Sequence, residues 1–119
     1  MPNDSLRSLA KRRDFELVFK EGLSAAAKYL VVYARPNELS WNRLGLSVSK
    51  KIGNAVIRNR VKRLLREAVR EVLEGASHHY DFVIVAKKTA AEAGLENFIR
   101  EIEKFLPKIS HEKSSDSIH

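Results

Sequence analysis

The sequence contains no cysteine. A disulfide framework, a thiolate metal site and a cysteine nucleophile are therefore excluded. Long apolar runs are missing too. The first residues, "MPNDSLRSLAKRRDF", hold no apolar run of about 7–15 residues such as a secretory signal needs. No stretch approaches the roughly 18 apolar residues of a membrane span. We expect a soluble protein of the cytoplasm that has no membrane partner.

Candidate catalytic side chains are scarce. Ser47 and Ser49 have no histidine or aspartate in a recognisable arrangement, and the paired carboxylates of two-metal nucleases are missing. His78 and His79 are a weak metal candidate, because adjacent side chains in a short loop diverge and no acidic pair lies nearby. Asp81 is interpreted as a strand-edge or turn residue. We predict no catalytic residue and no metal ligand in this chain.

Positive charge is in excess, and one segment carries all of the excess. The chain has 22 Lys and Arg against 15 Asp and Glu, a formal net charge of +7. Residues 50–70, "KKIGNAVIRNRVKRLLREAVR", hold eight basic residues and one acidic residue, which leaves 14 of each sign elsewhere. Such a concentration is typical of proteins that bind a polyanion, above all a nucleic acid.

The same segment predicts an amphipathic helix. Apolar residues recur with helical spacing from Ile57 to Val72, with Asn54 as the N-cap and Gly75 as the end. Basic residues occupy the opposite arc at four-residue spacing without an acidic partner, so they repel one another in a free helix. A solvated face is the alternative, but such faces usually mix both signs. Phosphates would supply the missing negative charge.

The other hydrophobic patterns predict a small α+β domain. Apolar residues at helical spacing predict a short helix that ends at Gly22, and a last amphipathic helix that ends at Pro107. Strands are predicted at residues 28–35, counted as one strand or two, at 43–49, and at 80–87. The last strand is apolar on both faces and therefore central. One domain is expected over residues 1–110, followed by a polar, disordered tail over 111–119.

Aromatic residues raise a second binding hypothesis. Tyr29 and Tyr33 are predicted on one strand face with Arg35, a mixture that suits unpaired bases. Phe15 and Phe19 lie at helical spacing, and such pairs are more often core residues than binding residues. Single-stranded RNA fits this pattern better than a duplex does.

Three stretches of the sequence resemble those of a known family. The stretch "RLGLSVSKKIGNAVIRNRVKRLLREAVR" closely resembles the signature of the bacterial ribonuclease P protein subunit, with its Arg-Asn-Arg core at Arg58, Asn59 and Arg60. The stretches "DFELVFKEG" and "YDFVIVAKK" fall where that family has its first helix and last strand. The resemblance covers roughly residues 6–107, and the long motif is the specific part of it. The loop that contains Trp41 has no counterpart that we can assign.

The resemblance implies a fold and a function. The fold would be a two-layer α–β sandwich in the order α-β-β-β-α-β-α, similar to a ribosomal-protein domain, with a left-handed βαβ crossover where the general rule predicts a right-handed one. The function would be to assist a catalytic RNA, which removes the 5′ leader of precursor tRNA with Mg²⁺ bound mainly through RNA. The partners would be ribonuclease P RNA and precursor tRNA, with no protein partner required. The alternative is a generic RNA-binding or ribosomal module.

The resemblance also implies two sets of site residues. The catalytic RNA would be contacted by the basic motif, which here comprises Lys50, Lys51, Asn54, Arg58, Asn59, Arg60, Lys62, Arg63 and Arg66. The single-stranded leader would lie in a cleft between the first helix and the sheet. The cleft residues and their neighbours are Phe15, Phe19, Tyr33, Arg43, Ser47, Ser49 and Lys87.

Overall fold

The computed structural model describes residues 6–74 and 78–118, with side chains described for 6–74 and 78–106. Its elements are β1 (Leu6–Ser8), α1 (Arg12–Glu21), β2 (Leu23–Ala26), β3 (Leu30–Pro36), β4 (Asn42–Ser47), α2 (Ala55–Leu73), β5 (Tyr80–Ala86) and α3 (Leu95–Ile118). Short 3₁₀ turns, Lys50–Ile52 and Lys88–Glu92, precede α2 and α3. The predicted α+β class and the order of helices and strands are confirmed, with one short strand added at the start. Gly75, the predicted helix end, lies outside the described residues.

The five strands form one mixed sheet in the order β1-β4-β5-β3-β2. β5 pairs in parallel with β4 and antiparallel with β3, so it is central as its apolar sequence predicts. β2 pairs antiparallel with β3 at one edge, and β1 pairs in parallel with β4 at the other. β1 was not predicted, because three residues are too short to show a strand pattern.

Helices cover both faces of the sheet. Along β5, Phe82 and Ile84 are buried in the larger core, which includes residues of α2 and α3. Val83 points to the other face and is buried with Val18 of α1. The predicted α–β sandwich is confirmed, and α1 adds a partial layer over the centre of the second face of the sheet. The alternation of strand side chains makes this arrangement possible.

The basic helix connects two neighbouring parallel strands. β4, α2 and β5 form a βαβ unit, in which Arg43 of β4 lies beside Asp81 of β5 and Ser47 lies beside Val85. The basic face of α2 thus belongs to an element that is fixed to the middle of the sheet. The left-handed sense of this crossover stays a prediction.

The last helix does not end where the sequence predicts. α3 runs from Leu95 to Ile118, through Pro107, so the prediction that it ends at Pro107 is wrong. A proline removes one helical hydrogen bond and costs about 3 kcal/mol, but helical turns can form on both sides of it. The domain boundary at residue 110 and the disorder of the tail stay predictions. Within the described ranges, no helix is both long and apolar enough to cross a membrane.

Candidate nucleic-acid interface

The basic face of α2 is set by the packing of its opposite face. Val61 and Leu65 are fully buried against the sheet and α3. Asn54 caps the helix as predicted, since its Oδ1 accepts a hydrogen bond from the backbone N–H of Ile57 at 3.0 Å. This fixed orientation places the polar residues of the predicted RNA-binding set toward solvent. Asn59, Arg60, Arg63 and Arg66 are exposed, and Arg58 and Lys62 are half-buried.

Two further cations stand directly before the helix. Lys50 and Lys51 are exposed in the 3₁₀ turn, and Ser49 orders that turn by accepting a hydrogen bond from the backbone N–H of Lys51 at 3.3 Å. The N-terminus of a helix attracts anions through its free N–H groups and its dipole. Lys50 and Lys51 therefore extend the cationic surface of α2 past its N-terminus, where Asn54 caps the helix.

Arg58 and Arg60 also hold backbone carbonyls. The Arg58 Nε donates to the carbonyl oxygen of Gly53 at 3.2 Å, and the Arg60 Nη2 donates to that of Ala93 at 3.2 Å. These bonds orient the two guanidinium groups but use few of their donors, since each group has five N–H bonds. Arg63 and Arg66 make no ion pair within the described part of the chain.

An aromatic cleft lies on the other face of the sheet, beside α1. Phe19 is 44% exposed, and its ring meets that of Tyr33 edge-on with centroids 4.8 Å apart. Phe15 stands 6.5 Å from Phe19 along the helix. Its ring lies against Gly45 so closely that a Cβ there would be 2.4 Å from the Phe15 Cζ. These three predicted leader-binding aromatics form one cluster, which from here on is called the aromatic cleft.

The floor of the aromatic cleft is apolar and partly open. Strand pairing places Val31 beside Val85, and Val85 beside Ser47. Both valines are half-buried and Ser47 is exposed, so α1 leaves this part of the sheet uncovered. An exposed ring next to such a floor is a surface on which an unpaired base can stack. Phe15 and Phe19 are therefore both packing residues and surface residues.

The other predicted leader contacts are placed differently. Arg43 is bound to carboxylates: its Nη2 donates to Asp81 at 2.7 Å, its Nε to the same carboxylate at 2.8 Å, and its Nη1 to Asp14 at 3.3 Å. Ser49 serves the 3₁₀ turn, and the exposed Lys87 donates from its Nζ to the carbonyl oxygen of Ala27. Ser47 lies beside Val85 at the aromatic cleft, and its side chain makes no hydrogen bond within the described part of the chain.

Asp81 is a buried charged residue beside the aromatic cleft's helix, and the sequence pattern does not show its role. It is 2% exposed in the central strand, so its interpretation as an edge or turn residue is wrong. Its carboxylate accepts from Arg43 and, at 2.8 Å, from the Nδ2 of Asn37. A buried charge needs such partners. The hydrogen bond to Asp81 raises the pKa of Arg43 above its ordinary value, although partial burial opposes this.

Tyr29 does not share a face with Tyr33, so that prediction is also wrong. β3 begins one residue later, at Leu30, where the carboxylate of Glu101 accepts from the backbone N–H groups of Tyr29 at 3.0 Å and Leu30 at 3.1 Å. The Tyr29 ring instead packs edge-on against Phe98 of α3, with centroids 6.4 Å apart. Tyr29 therefore belongs to the side of the sheet that α2 and α3 cover, away from the aromatic cleft.

Metal-ligating side chains do not converge in residues 6–74 and 78–106, where side chains are described: no group of three or more His, Cys, Asp or Glu could hold an ion there. The described side chains therefore do not fit a protein-held Mg²⁺ site. Binding of Mg²⁺ through RNA stays a prediction.

The fold and its two surfaces define a small α+β protein with a cationic helix on one side and an aromatic cleft on the other, features that single-stranded nucleic-acid binders combine. The family model described as Ribonuclease P matches residues 4–110. The chain belongs to the ribonuclease P protein family, whose members are the protein component of a ribonucleoprotein endoribonuclease.

Individual relatives support the family over nearly the whole chain. The ribonuclease P protein component of Caldanaerobacter subterraneus subsp. tengcongensis is 44% identical over 105 residues, which cover 88% of this chain and 90% of that protein. That of Bacillus velezensis is 45% identical over 113 residues, covering 92% and 94%.

Solved structures agree with the fold. The ribonuclease P protein of Staphylococcus aureus superposes with a TM-score of 0.73 at 36% identity, covering 87% of this chain and 94% of that one. The ribonuclease P protein of Thermotoga maritima has a TM-score of 0.73 at 33% identity, covering 86% and 96%.

Proposed function

We propose that this protein binds the catalytic RNA of ribonuclease P through the basic face of α2, and the single-stranded 5′ leader of precursor tRNA in the aromatic cleft. The endonucleolytic step that gives the mature 5′ end is carried out by the RNA with its bound Mg²⁺. The protein contributes binding energy and positions the leader relative to the catalytic RNA. Cytoplasmic location is part of the same proposal.

The main support for this proposal is the positive charge of α2, which lacks carboxylate partners in the described part of the chain. Residues 50–70 hold the whole net charge of +7, and the exposed arginines of this face lack carboxylate partners in the described part of the chain. A folded RNA supplies phosphates at such a surface and releases counterions when it binds. The rigid attachment of α2 to the sheet favours docking of a structured partner.

The aromatic cleft supports selectivity for precursor over product. It lies on the opposite face of the sheet from the α2 core, so one RNA can occupy α2 while a single strand occupies the cleft. Stacking on exposed rings contributes about 1–3 kcal/mol per base and tolerates any sequence. A leader that is present only in the precursor would therefore add affinity without requiring a particular leader sequence.

A reconstitution assay tests the proposal. The purified protein is combined with a bacterial ribonuclease P RNA and a 5′-labelled precursor tRNA at low Mg²⁺, and cleavage is compared with that by each component alone. We expect cleavage at the mature 5′ end that is strongly enhanced when both are present. Tight RNA binding without enhancement, with several bacterial RNAs, would instead support a generic RNA-binding or ribosomal module.

A further inference from the structure

The two proposed binding surfaces are connected by a groove around the edge of β4. β1 pairs only with residues 42–44 of β4. From Gly45 to Ser47, β4 is therefore paired with β5 on one side and has no strand on its other side among the described residues. A cavity of about 280 Å³ lies there and is lined by Phe15 and Gly45 on one side and by Lys62 and Arg66 on the other. It therefore touches both the aromatic cleft and the basic face of α2.

A second, smaller cavity continues the groove along α2. Its volume is about 110 Å³, and it shares Ser8, Leu44 and Arg66 with the first cavity. Its remaining lining includes Arg7 of β1 and Arg70 of α2. The Arg7 guanidinium carbon lies 4.8 Å above the ring of Trp41, so the loop that contains Trp41 holds this arginine at the end of the groove.

The charges along the groove have one sign. Lys62, Arg66 and Arg70 are four residues apart on α2, which spaces them by about 6 Å and spans about 12 Å in total. No carboxylate lines either cavity, and no ion pair involves these three cations among the described residues. Arg66 and Arg70 are exposed, so they are available to a ligand in solvent.

We propose that the single-stranded leader of precursor tRNA continues from the aromatic cleft over the open edge of β4, and that Arg66 and Arg70 bind the phosphates of its distal nucleotides. This inference rests on the proposed function and extends it. It assigns a role to Arg70, which is not a member of the predicted RNA-binding set. It also moves Arg66 from the predicted contacts with the catalytic RNA to the leader path. The groove suits a flexible strand that begins at Phe15, because the cavity there contacts that ring directly.

The leader-length dependence of affinity tests this path. Wild-type protein and its variants are reconstituted with ribonuclease P RNA, and the Kd of precursor tRNA is measured as the leader is lengthened nucleotide by nucleotide. We expect wild-type affinity to rise first as the aromatic cleft fills, and again as the leader reaches Arg70. Arg70→Gln removes the second rise, a loss of about three- to tenfold for one solvent-exposed hydrogen-bonded contact. Arg70→Lys keeps most of it.

Arg100→Gln is the matched control, because Arg100 is an exposed arginine on α3 and makes no ion pair within the described residues. It should leave both rises unchanged. If Arg70→Gln weakened binding equally at every leader length, mature tRNA included, Arg70 would be assigned to the catalytic RNA and the leader path would be overturned. No loss of affinity at any leader length would also overturn the leader path. A wild-type complex that gains nothing from any leader would contradict the proposed function itself, so the two failures are distinct.

Discussion

Truncation of Phe19 is the sharpest test of the aromatic cleft. Phe19 is 44% exposed, so Phe19→Ala removes a ring that the fold buries only in part. The main cost to the free protein comes from the edge-on packing with Tyr33 at 4.8 Å, and such a pair contributes about 1 kcal/mol. The fold should therefore survive the substitution. A base stacked on this ring would lose about 1–3 kcal/mol of binding free energy.

The assay compares precursor with mature tRNA. A loss of about 1–3 kcal/mol lowers precursor affinity about 5- to 150-fold in the reconstituted complex, while mature tRNA, which has no leader, keeps its affinity. The matched control is Leu23→Ala. Leu23 is 42% exposed, and it pairs with Ala34, whose side chain faces the α2 and α3 core on the other side of the sheet.

Leu23→Ala should change neither affinity. The aromatic cleft would not bind the leader if Phe19→Ala weakened the binding of precursor and mature tRNA by the same factor, or if Leu23→Ala reproduced its effect. Circular dichroism melts of both variants establish that the loss of affinity does not come from unfolding.

Three further substitutions test the packing that positions the site. Arg43→Ala leaves Asp81 buried with a single neutral partner, and should lower the free energy of unfolding by about 3 kcal/mol in urea titrations. Asn54→Ala removes the cap of α2 and should cost about 1 kcal/mol, measured in the same way. Gly45→Ala places a Cβ 2.4 Å from the Phe15 Cζ, so the ring must move, and we expect a cost of about 1–3 kcal/mol.

Each of these has its own control. Arg12→Ala breaks an exposed ion pair with Glu16 and should cost about 0.5 kcal/mol or less, so an equal effect of Arg43→Ala would contradict the buried-pair argument. Asn54→Ser keeps an N-cap oxygen and should retain most of the stability. Adding Phe15→Leu to Gly45→Ala shortens the clashing side chain. If that double variant recovered no stability, the clash with Phe15 would not be the cause of the lost free energy of unfolding.

The sequence predicts those parts of the fold whose signal is local and periodic. The apolar stripe of α2 repeats over four turns, and its cap at Asn54 is a single side chain three residues from its partner, so both were predicted. The aromatic cluster followed from the family resemblance, whereas the position of each ring depends on close packing such as that of Phe15 on Gly45. No local pattern shows how closely a side chain approaches a strand that is distant in sequence.

The wrong predictions about Tyr29 and Asp81 both depend on interactions between distant residues. Tyr29 was placed on the wrong side because Glu101, on α3, binds the backbone where β3 begins. Asp81 looks like a turn residue until the β4–β5 register sets it beside Arg43. The groove at the β4 edge involves β1, which has too few residues to show a pattern. In each case the missing information is which strands and helices are neighbours.

The salt dependence of binding shows whether the basic face of α2 holds the phosphates of the catalytic RNA. The slope of log affinity against log salt concentration is negative, and removing one cation that binds a phosphate of the folded RNA should reduce its magnitude by about 0.9, as it does for duplex DNA. Arg63 is exposed and makes no ion pair in the described part of the chain, so Arg63→Gln removes a charge without disturbing the fold. We expect Arg63→Gln to reduce the magnitude of this slope by about one and Arg100→Gln to leave it unchanged. Identical slopes for wild type, Arg63→Gln and Arg100→Gln would contradict the proposal that the α2 face binds the RNA.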